Sequence, residues 1–565
     1  MYHFEHLFVA AGAEPRFRED LFPAEIGRPV PAEGEWVTVE RCLIFQRDRT
    51  ILISTASPAF TAARDQLRQF AELVQSAGTY HTYRVTDLSL WSAAASGLTA
   101  ATIGDVFDRF GEYAPPRSLV AFVQEFIRRY GLLRLEGSPD ALRLASTDRA
   151  LLVRIAAANQ LAWEGSRLVI PDERRGWLKS TLAAEGYPVI DAAALASTEH
   201  LPFDLRPEVR LRPYQVEAVE RFVERGESGG VVLLPCGAGK TVVGIAAAAR
   251  LKARTLIVTP SRTIAEQWHR HLLDLTTLSR AEVGFYNARR SLTPVTIVTY
   301  QALTSRANGR AANLANLVDF PWGLVIYDEV HSLPADVFRS SAALQSRRRL
   351  GLTATLIRED GRERDAFSLV GPPVYSVPWR LLEHHGWIAP VDCVEVRVRP
   401  AREQPVTPER LLAAKLRVLR VLAARHRDEP LLVIAHRLIE VAAASRALDA
   451  PVITGQTPAS ERRALYDAFR SGEHRCLALS RVANAGVDLP DAAVLVQVSG
   501  AFGSRQEEAQ RVGRLLRPKQ GSRATFYSLV AAGTRETEFA GRRQRFLIDQ
   551  GYRYQVVDAD ALTGR

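Results

Sequence analysis

The feature that most constrains this chain is a short apolar strand that runs into a glycine-rich turn and then into a helix. Residues 231–234 (VVLL) have the character of a buried strand, Gly237 and Gly239 allow a tight turn, and the segment from Thr241 onward has helical character. This order directs backbone N–H groups and a helix N-terminus at one point, as in phosphate-binding loops. The residues predicted to hold a nucleotide there are Pro235, Cys236, Gly237, Ala238, Gly239, Lys240 and Thr241.

Lysine is rare in this chain, and one lysine lies in that turn. Only five of the 73 basic residues are lysine, and the others are arginine. A compact ammonium fits between phosphate oxygens where a planar guanidinium does not, so Lys240 is expected to neutralise the β- and γ-phosphates. The Thr241 hydroxyl is expected to hold Mg²⁺. The turn departs from the strict G-x-x-x-x-G-K-[ST] pattern because Leu234 replaces its first glycine.

Two adjacent carboxylates follow a second apolar strand, in the sequence GLVIYDEVH (323–331). Asp328 and Glu329 are costly neighbours unless a cation lies between them, and Mg²⁺ is the obvious candidate. We expect Asp328 to bind the metal through water and Glu329 to polarise the attacking water, with His331 beside them. The alternative is a solvated turn between a strand and a loop.

A third motif, QRVGRLLR (510–517), lies far downstream. Arg511, Arg514 and Arg517 recur at helical spacing, and Gln510 precedes them. Arginines on one helical stripe repel one another unless they face an anion, and a γ-phosphate in its transition state is one. The alternative is a basic helix face in solvent. A phosphate loop and arginines this far apart in sequence predict two lobes that close around a nucleotide.

These motifs belong to a longer ordered series. In chain order it comprises LRPYQ (211–215), PCGAGKT, VTPSRTIAEQW (258–268), VTYQAL (298–303), DEVH, GLTATLIRED (351–360), RVANAGVDLP (481–490), GSRQEEAQRVGRLLRP (503–518) and RRQRFLIDQGY (542–552). The series resembles the superfamily 2 helicases, and within them the XPB-type DNA helicases in their bacterial form. Within the superfamily, the element Arg358, Glu359 and Asp360 is the most specific sign of the XPB-type subgroup.

The resemblance implies further site residues. For nucleotide binding they are Arg212, Gln215, Gly486 and Asp488, and for DNA contact or coupling they are Ser261, Arg262, Thr299, Tyr300, Thr353, Thr355, Arg358, Glu359 and Asp360. Gln215 would read adenine, although it could instead cap a helix. Thr353 and Thr355 would couple the nucleotide site to the DNA site, although such a triplet is also an ordinary polar loop. Arg514 and Arg517 would be the arginine fingers.

Composition sets outer limits. The chain has 565 residues, and 73 basic against 63 acidic residues give a net charge of +10, a modest excess that is consistent with tracking phosphates. Four scattered cysteines indicate neither a disulfide framework nor a zinc or iron–sulfur site. No stretch approaches the roughly 18 apolar residues of a membrane span. The N-terminus is a poor signal peptide, so we expect a cytoplasmic protein.

Alternating strands and helices predict an α/β fold with two tandem RecA-like parallel-sheet lobes. Residues 1–36 form an extension without a functional signal, 37–200 a smaller α+β accessory domain, 201–392 the ATP-binding lobe 1, and 393–565 lobe 2. The family inserts a helical thumb that grips DNA, and the corresponding stretch, near 399–417, is short here. This shortness limits the unwinding strength and processivity to be expected.

Within the accessory domain, paired strands are predicted around residues 46–48, then a helix over 58–75 and a second unit from Tyr80. A helix over 118–130 and two short strands around 138–140 are typical of a winged helix. Four arginines are candidate phosphate contacts, namely Arg128, Arg129, Arg134 and Arg143. The alternative is a structural domain with solvated arginines.

The resemblance implies an ATP-dependent DNA helicase that moves 3′ to 5′ in DNA repair. Closure of the lobes on ATP and reopening after hydrolysis would ratchet the motor along one strand. Three other functions stay open: a double-stranded DNA translocase or switch that opens DNA for a partner nuclease, an RNA helicase, and a DNA-binding scaffold without catalysis. Intact Lys240, Asp328, Glu329 and Arg514 argue against the scaffold.

Overall fold

The computed structural model describes residues 41–563 with gaps. The residues outside the description are 1–40, 78, 139–140, 172–173, 194–199, 226–228, 236, 287–291, 305–316, 318–319, 334–343, 345, 356–362, 400–406, 481–491, 501–504, 516–522 and 564–565. The predicted extension, 1–36, is therefore outside it. Arg41–Arg565 forms one compact unit.

The N-terminal part begins with an antiparallel sheet of strand order β1-β2-β4-β3. Its strands are β1 (Leu43–Phe45), β2 (Thr50–Ser54), β3 (Glu72–Ala77) and β4 (Tyr80–Arg84), and its helices are α1 (Phe60–Leu67), α2 (Asp87–Ala95), α3 (Ala100–Phe110) and α4 (Arg117–Arg129). Sheet and helices share one apolar core, which includes Ile51, Leu90 and Phe107. The strand pair predicted around residues 46–48 is confirmed as β1 and β2.

A second, mixed sheet follows in the order β7-β8-β6-β5-β9. Its elements are β5 (Leu133–Glu136), β6 (Leu142–Ser146), α5 (Arg149–Asn159), β7 (Trp163–Glu164), β8 (Arg167–Ile170), α6 (Arg175–Ala184) and β9 (Val189–Asp191). The predicted helix, α4, and the predicted hairpin, β5 with β6, are confirmed. Because β8 and β9 extend this hairpin on either side, the winged-helix assignment stays a prediction.

Lobe 1 is built on a parallel sheet of order β12-β13-β11-β14-β15-β10-β16. Its elements are α7 (Pro213–Glu224), β10 (Gly230–Leu233), α8 (Lys240–Leu251), β11 (Thr255–Thr259), α9 (Arg262–Leu275), β12 (Val283–Phe285), β13 (Val295–Thr299), α10 (Tyr300–Thr304), β14 (Trp322–Asp328), a 3₁₀ turn (Val330–Ser332), β15 (Ser346–Thr353), α11 (Glu363–Val370) and β16 (Pro373–Ser376). Strands β11 and β14 are buried along their whole length, as expected for parallel strands covered on both faces.

Lobe 2 repeats this architecture in a parallel sheet of order β19-β20-β18-β21-β22-β17-β23. Its elements are the connecting helix α12 (Trp379–His384), β17 (Val391–Val398), α13 (Pro408–Arg425), β18 (Leu431–Ile434), α14 (Leu438–Leu448), β19 (Val452–Ile453), α15 (Ala459–Ser471), β20 (Cys476–Leu479), β21 (Val494–Gln497), α16 (Arg505–Leu515), β22 (Ala524–Ala531), α17 (Arg535–Asp549), β23 (Tyr554–Asp558) and α18 (Ala559–Thr563). The prediction of two parallel-sheet lobes is confirmed.

Two predicted boundaries in lobe 2 shift. Strand β17 begins at Val391, so it straddles the predicted boundary between residues 392 and 393. Within the stretch predicted as a thumb, residues 400–406 lie outside the described part. From Pro408 onward the chain is α13, in which Ala414 and Val418 are buried in the core of the lobe. The thumb prediction therefore applies at most to residues 399–407.

The N-terminal part contacts both lobes. On the side of lobe 1, Arg225 after α7 donates a hydrogen bond to the Tyr130 hydroxyl at 3.3 Å. On the side of lobe 2, Asp549 at the end of α17 accepts hydrogen bonds from Arg68 Nε and from the Tyr83 hydroxyl, each at 3.1 Å. Movement of one lobe relative to the other must therefore break one of these contacts or deform the N-terminal part.

The predicted helix over 58–75 is wrong beyond Leu67. Helix α1 ends there, and Glu72–Ala77 is strand β3, which pairs with β4. Leu73 is buried in this arrangement, so pairing and burial override the local helical spacing. Because β4 lies between β2 and β3, the predicted start of a second unit at Tyr80 is wrong too.

Across the residues that the structure describes, no helix has both the length and the apolar character to cross a membrane.

Candidate active site

The phosphate loop connects β10 to α8. Gly237 and Gly239 have φ angles of 83° and 79°, in the left-handed region that favours glycine. Lys240 is the first residue of α8, so the unpaired N–H groups of that helix end point toward the loop. This geometry suits an anion. Cys236, which was predicted to line the loop, lies outside the described residues.

Two side chains of α7 hold the loop from behind. The Tyr214 hydroxyl and Gln215 Nε2 both donate to the backbone oxygen of Ala238, at 2.8 Å and 3.0 Å. Gln215 Oε1 accepts the Arg212 N–H at 2.9 Å, so Gln215 caps its helix, the alternative to adenine recognition. Arg212 itself donates to the backbone oxygen of Trp387 at 2.7 Å. Gln215 Nε2 carries a second hydrogen, which is the donor that adenine recognition would use, so this role stays a prediction.

A cleft of about 510 Å³ opens beside the loop. It is lined by residues of the segment 208–215, by the loop with the start of α8, and by Asp274 and Leu275 at the end of α9. This volume is typical of sites for small molecules, and it leaves room for a purine base and its ribose.

Asp328 ends β14 and is held by two aromatic residues. Its side chain is buried, and Oδ2 accepts the Trp268 indole N–H at 2.7 Å. The Tyr300 hydroxyl donates to the backbone oxygen of Asp328 at 2.6 Å. No role was predicted for Trp268, although a buried indole N–H requires an acceptor and this residue ends one of the motifs. Tyr300 is buried, and its role in DNA contact or coupling stays a prediction.

The electrostatics of this site favour a bound cation. Burial and the neighbouring Glu329 carboxylate raise the pKa of Asp328 to about 6, against opposing contributions from Trp268 and Lys240. Glu329 has a φ of 51°, a strained conformation that is uncommon outside glycine. Lys240 Nζ lies 3.4 Å from Glu329 Oε1. Two carboxylates and one ammonium leave negative charge that a divalent cation would neutralise, so the residues fit Mg²⁺.

A chain of hydrogen bonds links the ends of β14 and β15. His331 Nδ1 lies 3.5 Å from Glu329 Oε2 and is hydrogen-bonded to Thr353 Oγ1. The Thr353 hydroxyl donates to the backbone oxygen of Thr355 at 2.7 Å, so His331 Nδ1 is the donor in the other bond. The structure thus brings together His331 and both threonines. Whether this contact couples the nucleotide site to DNA stays a prediction.

The remaining described residues predicted for DNA contact in lobe 1 have local partners. Ser261 and Thr299 each accept a backbone N–H, at the start of α9 and beside α10. Arg262 is exposed and pairs with Glu266 at 3.1 Å, so its guanidinium lies at the surface. A role of these residues in DNA contact stays a prediction.

Helix α16 carries Gln510 and Arg514. The three-arginine stripe is wrong in one member, because Arg511 is fully buried and donates to Gln497 Oε1. Helical periodicity alone could not tell which face of α16 is covered by the sheet. The other predicted site residues outside the description are Gly486, Asp488, Arg358, Glu359, Asp360 and Arg517.

The arginines predicted to contact phosphates in the N-terminal part are paired with carboxylates. Arg128 and Arg129 both bond Glu125, each at 2.9 Å. Arg143 pairs with Glu164 at 2.5 Å, and Arg134 Nε lies 3.7 Å from a Glu136 oxygen. These pairings favour the alternative of a structural domain with solvated arginines.

Gly239→Ala is expected to raise the KM for ATP by about tenfold, because the left-handed conformation costs an alanine roughly 1–2 kcal/mol. A Cβ at this position would also lie 2.5 Å from Gln215 Nε2. The Gln215 amide cannot move away easily, because its oxygen and its nitrogen are both hydrogen-bonded. Steady-state hydrolysis measures the effect. Gly541→Ala on α17, where a Cβ meets nothing within 4 Å, is the matched control. An unchanged KM in Gly239→Ala would contradict the assigned loop.

Known protein families and relatives match most of this chain. Family models match residues 405–563 (ERCC3/RAD25/XPB C-terminal helicase), 208–358 (type III restriction enzyme, res subunit) and 43–168 (helicase conserved C-terminal domain). A protein of Mycobacterium tuberculosis named DNA 3'-5' helicase XPB is 46% identical over 543 residues, which cover 92% of this chain and 98% of that protein. One of the same name from Kineococcus radiotolerans is 46% identical, over 92% of this chain and 97% of its own length.

A more distant relative is named as both a helicase and a translocase subunit. The general transcription and DNA repair factor IIH helicase/translocase subunit XPB of Antonospora locustae is 33% identical, over 96% of this chain and 86% of that protein. The bacterial relatives combine the higher identity with nearly full coverage of both chains. This chain therefore belongs to the XPB family of superfamily 2 helicases, in its bacterial form.

Proposed function

We propose that this chain is an ATP-dependent DNA helicase that couples hydrolysis to movement along DNA and to strand opening. The observation that carries the proposal is the convergence of Lys240, Asp328 and Thr353 at the carboxyl edge of β10, β14 and β15. These are neighbouring strands of one parallel sheet, in the order β14-β15-β10. Ligands bind at that edge in α/β sheets, and a second lobe of the same architecture carries α16.

The chemistry follows from the contacts of the loop and of the carboxylates. Lys240 now lies against Glu329, and we expect it to move onto the β- and γ-phosphates when ATP enters. That movement would release Glu329 to orient and polarise the attacking water. Thr241 and Asp328 would hold Mg²⁺, which supplies positive charge at the phosphate oxygens. Trp268 and Tyr300 keep Asp328 in place.

The second lobe would complete the site. Arg514 and Arg517 would reach the γ-phosphate when the lobes close, and Gly486 and Asp488 would adjust the grip on DNA. The names of the relatives support movement from 3′ to 5′ and a role in DNA repair, so both are part of this proposal. The cytoplasmic location and a nuclease partner stay predictions.

A second candidate is a translocase on double-stranded DNA. The name of the Antonospora locustae relative contains both terms, helicase and translocase. In this chain, α13 begins at Pro408, which leaves few residues after β17 for a thumb that would separate strands. Strong DNA-stimulated hydrolysis without strand separation would favour this candidate.

The test is steady-state ATP hydrolysis at one low salt concentration with no nucleic acid, single-stranded DNA, duplex DNA or RNA. We expect stimulation by DNA and not by RNA. Lys240→Ala should abolish hydrolysis and keep DNA binding, whereas Lys252→Ala, which alters a lysine outside the loop, should keep both. Unwinding of 3′-tailed against 5′-tailed duplexes then separates helicase from translocase. Hydrolysis without stimulation by DNA would contradict the proposal.

A further inference from the structure

Helix α16 is held against lobe 2 by a buried polar cluster. Glu508 on this helix is completely buried, and Arg511 one turn later is buried too. In the described part of the chain, Glu508 accepts hydrogen bonds from Gln497 Nε2 at 3.2 Å, Arg543 Nε at 3.1 Å and the Tyr554 hydroxyl at 2.9 Å. We call these five residues the Glu508 cluster.

The members of the Glu508 cluster come from four different elements. Gln497 ends β21, Arg543 lies on α17, and Tyr554 begins β23. The Gln497 amide joins the two members on α16, because its oxygen accepts from Arg511 and its nitrogen donates to Glu508. The cluster thus ties one helix to the sheet at two points and to a neighbouring helix at a third.

A buried polar cluster of this kind determines the position of α16 more than it contributes to the stability of lobe 2. A buried carboxylate and buried guanidinium groups are costly to desolvate, and their directional bonds are satisfied in one arrangement of the elements. Apolar contacts of α16, such as those of Ala509 and Val512, also bury this face, but they tolerate sliding and rotation. The orientation and register of α16 are therefore set mainly by Glu508 and its partners.

Positions beside the cluster on the same helix carry the residues predicted to act on ATP. With 3.6 residues per turn, Glu508, Arg511 and Leu515 share one side of α16, and all three are buried. Positions 510 and 514 lie outside this buried side, and position 514 is about 60° around the helix from Arg511. A rotation or shift of α16 would therefore displace both of these positions together.

We infer that the Glu508 cluster positions α16 so that Arg514 reaches the γ-phosphate on lobe closure. This inference rests on the proposed function, because it needs a nucleotide that is hydrolysed between the lobes. Glu508 and Arg543 touch neither nucleotide nor metal in this assignment. They are positioning residues, and their effect on hydrolysis must pass through Arg514.

The experiment is a double-mutant cycle in the full chain. Glu508→Gln keeps the shape of the side chain and removes its charge, and it is combined with Arg514→Ala. A displacement of about 1 Å at a reacting group can cost about 10²-fold in rate, so we expect Glu508→Gln to lower kcat by about that factor with an unchanged KM for ATP. In the Arg514→Ala background the same substitution should cost less than about twofold, because the group that it positions is already gone.

Two further variants separate positioning from general destabilisation. Glu395→Gln removes another buried carboxylate of lobe 2, which bonds Gln544 and Arg397 and not α16. It should lower the thermal midpoint of unfolding as much as Glu508→Gln does, with kcat unchanged. Tyr554→Phe removes one hydrogen bond to Glu508 and serves if Glu508→Gln does not fold. Tyr554→Phe should also lower kcat. In the Arg514→Ala background it should have no further effect on kcat.

The outcomes distinguish failure of the positioning role from failure of the proposed function. Equal losses from Glu508→Gln with and without Arg514, or a loss of kcat in Glu395→Gln, would overturn the positioning role. So would an unchanged kcat in a folded Glu508→Gln or Tyr554→Phe protein. A wild-type chain without DNA-stimulated hydrolysis would instead overturn the proposed function.

Discussion

Arg514→Ala is expected to lower the turnover of DNA-stimulated ATP hydrolysis by about 10³- to 10⁵-fold, the usual contribution of an arginine finger. The guanidinium stabilises charge that develops on the transferred phosphoryl group, so its loss affects the transition state more than the bound substrate. The KM for ATP and the affinity for DNA should therefore change little.

The position of Arg514 on α16 supports this expectation. Its neighbour Arg511 is buried inside lobe 2, so we expect the two arginines to have separate roles. Arg511→Ala should destabilise the lobe, whereas Arg514→Ala should leave the thermal midpoint unchanged. Arg470→Ala on α15, which removes an exposed arginine that pairs with Asp467 at 2.8 Å, is the matched control and should keep full turnover. Turnover within tenfold of wild type in Arg514→Ala would exclude it as the finger.

The two parallel-sheet lobes could be predicted because each of their buried strands is a continuous run of apolar residues in the sequence. A strand such as β14 is buried on both faces, and it therefore appears in the sequence as a continuous apolar run that ends at Asp328. The phosphate loop could be predicted for a similar reason, since Gly237 and Gly239 are visible in the sequence and both have a positive φ in the structure. Both signals are local in the chain.

The features that were missed depend on contacts between distant segments. Strand β3 forms because Leu73 is buried when the segment pairs with β4, and no local spacing shows this pairing. Arg511 turns inward because Gln497 of β21 accepts its hydrogen bond. Trp268 meets Asp328 across 60 positions of sequence. Helical period gives the stripe on which such residues lie, but only the packing decides whether that stripe faces the core, the solvent or a ligand.

Asp328→Asn is expected to abolish hydrolysis and, in the nucleotide-free protein, to increase the free energy of unfolding at pH 8. The pKa of Asp328 is raised from 3.8 to about 6 by burial and by Glu329. The folded chain therefore holds this proton more tightly than the unfolded chain, and the free energy of unfolding falls as pH rises between these two values. Above pH 6 the ionised carboxylate costs up to about 3 kcal/mol, which asparagine does not incur.

Thermal unfolding of both proteins between pH 4 and pH 8 with a chelator present tests this sign. The variant should unfold at a higher temperature than wild type at pH 8, and the difference should vanish toward pH 4. Asp191→Asn is a control in which the stability at pH 8 is expected to change in the opposite direction. Burial alone would raise the pKa of Asp191, but Lys179 and Arg175 hold it well below its usual range, so this variant should be less stable at pH 8. If Asp328→Asn is no more stable than wild type at pH 8, the carboxylate is already neutralised without a metal, and the assignment of a cation site between Asp328 and Glu329 loses its electrostatic basis.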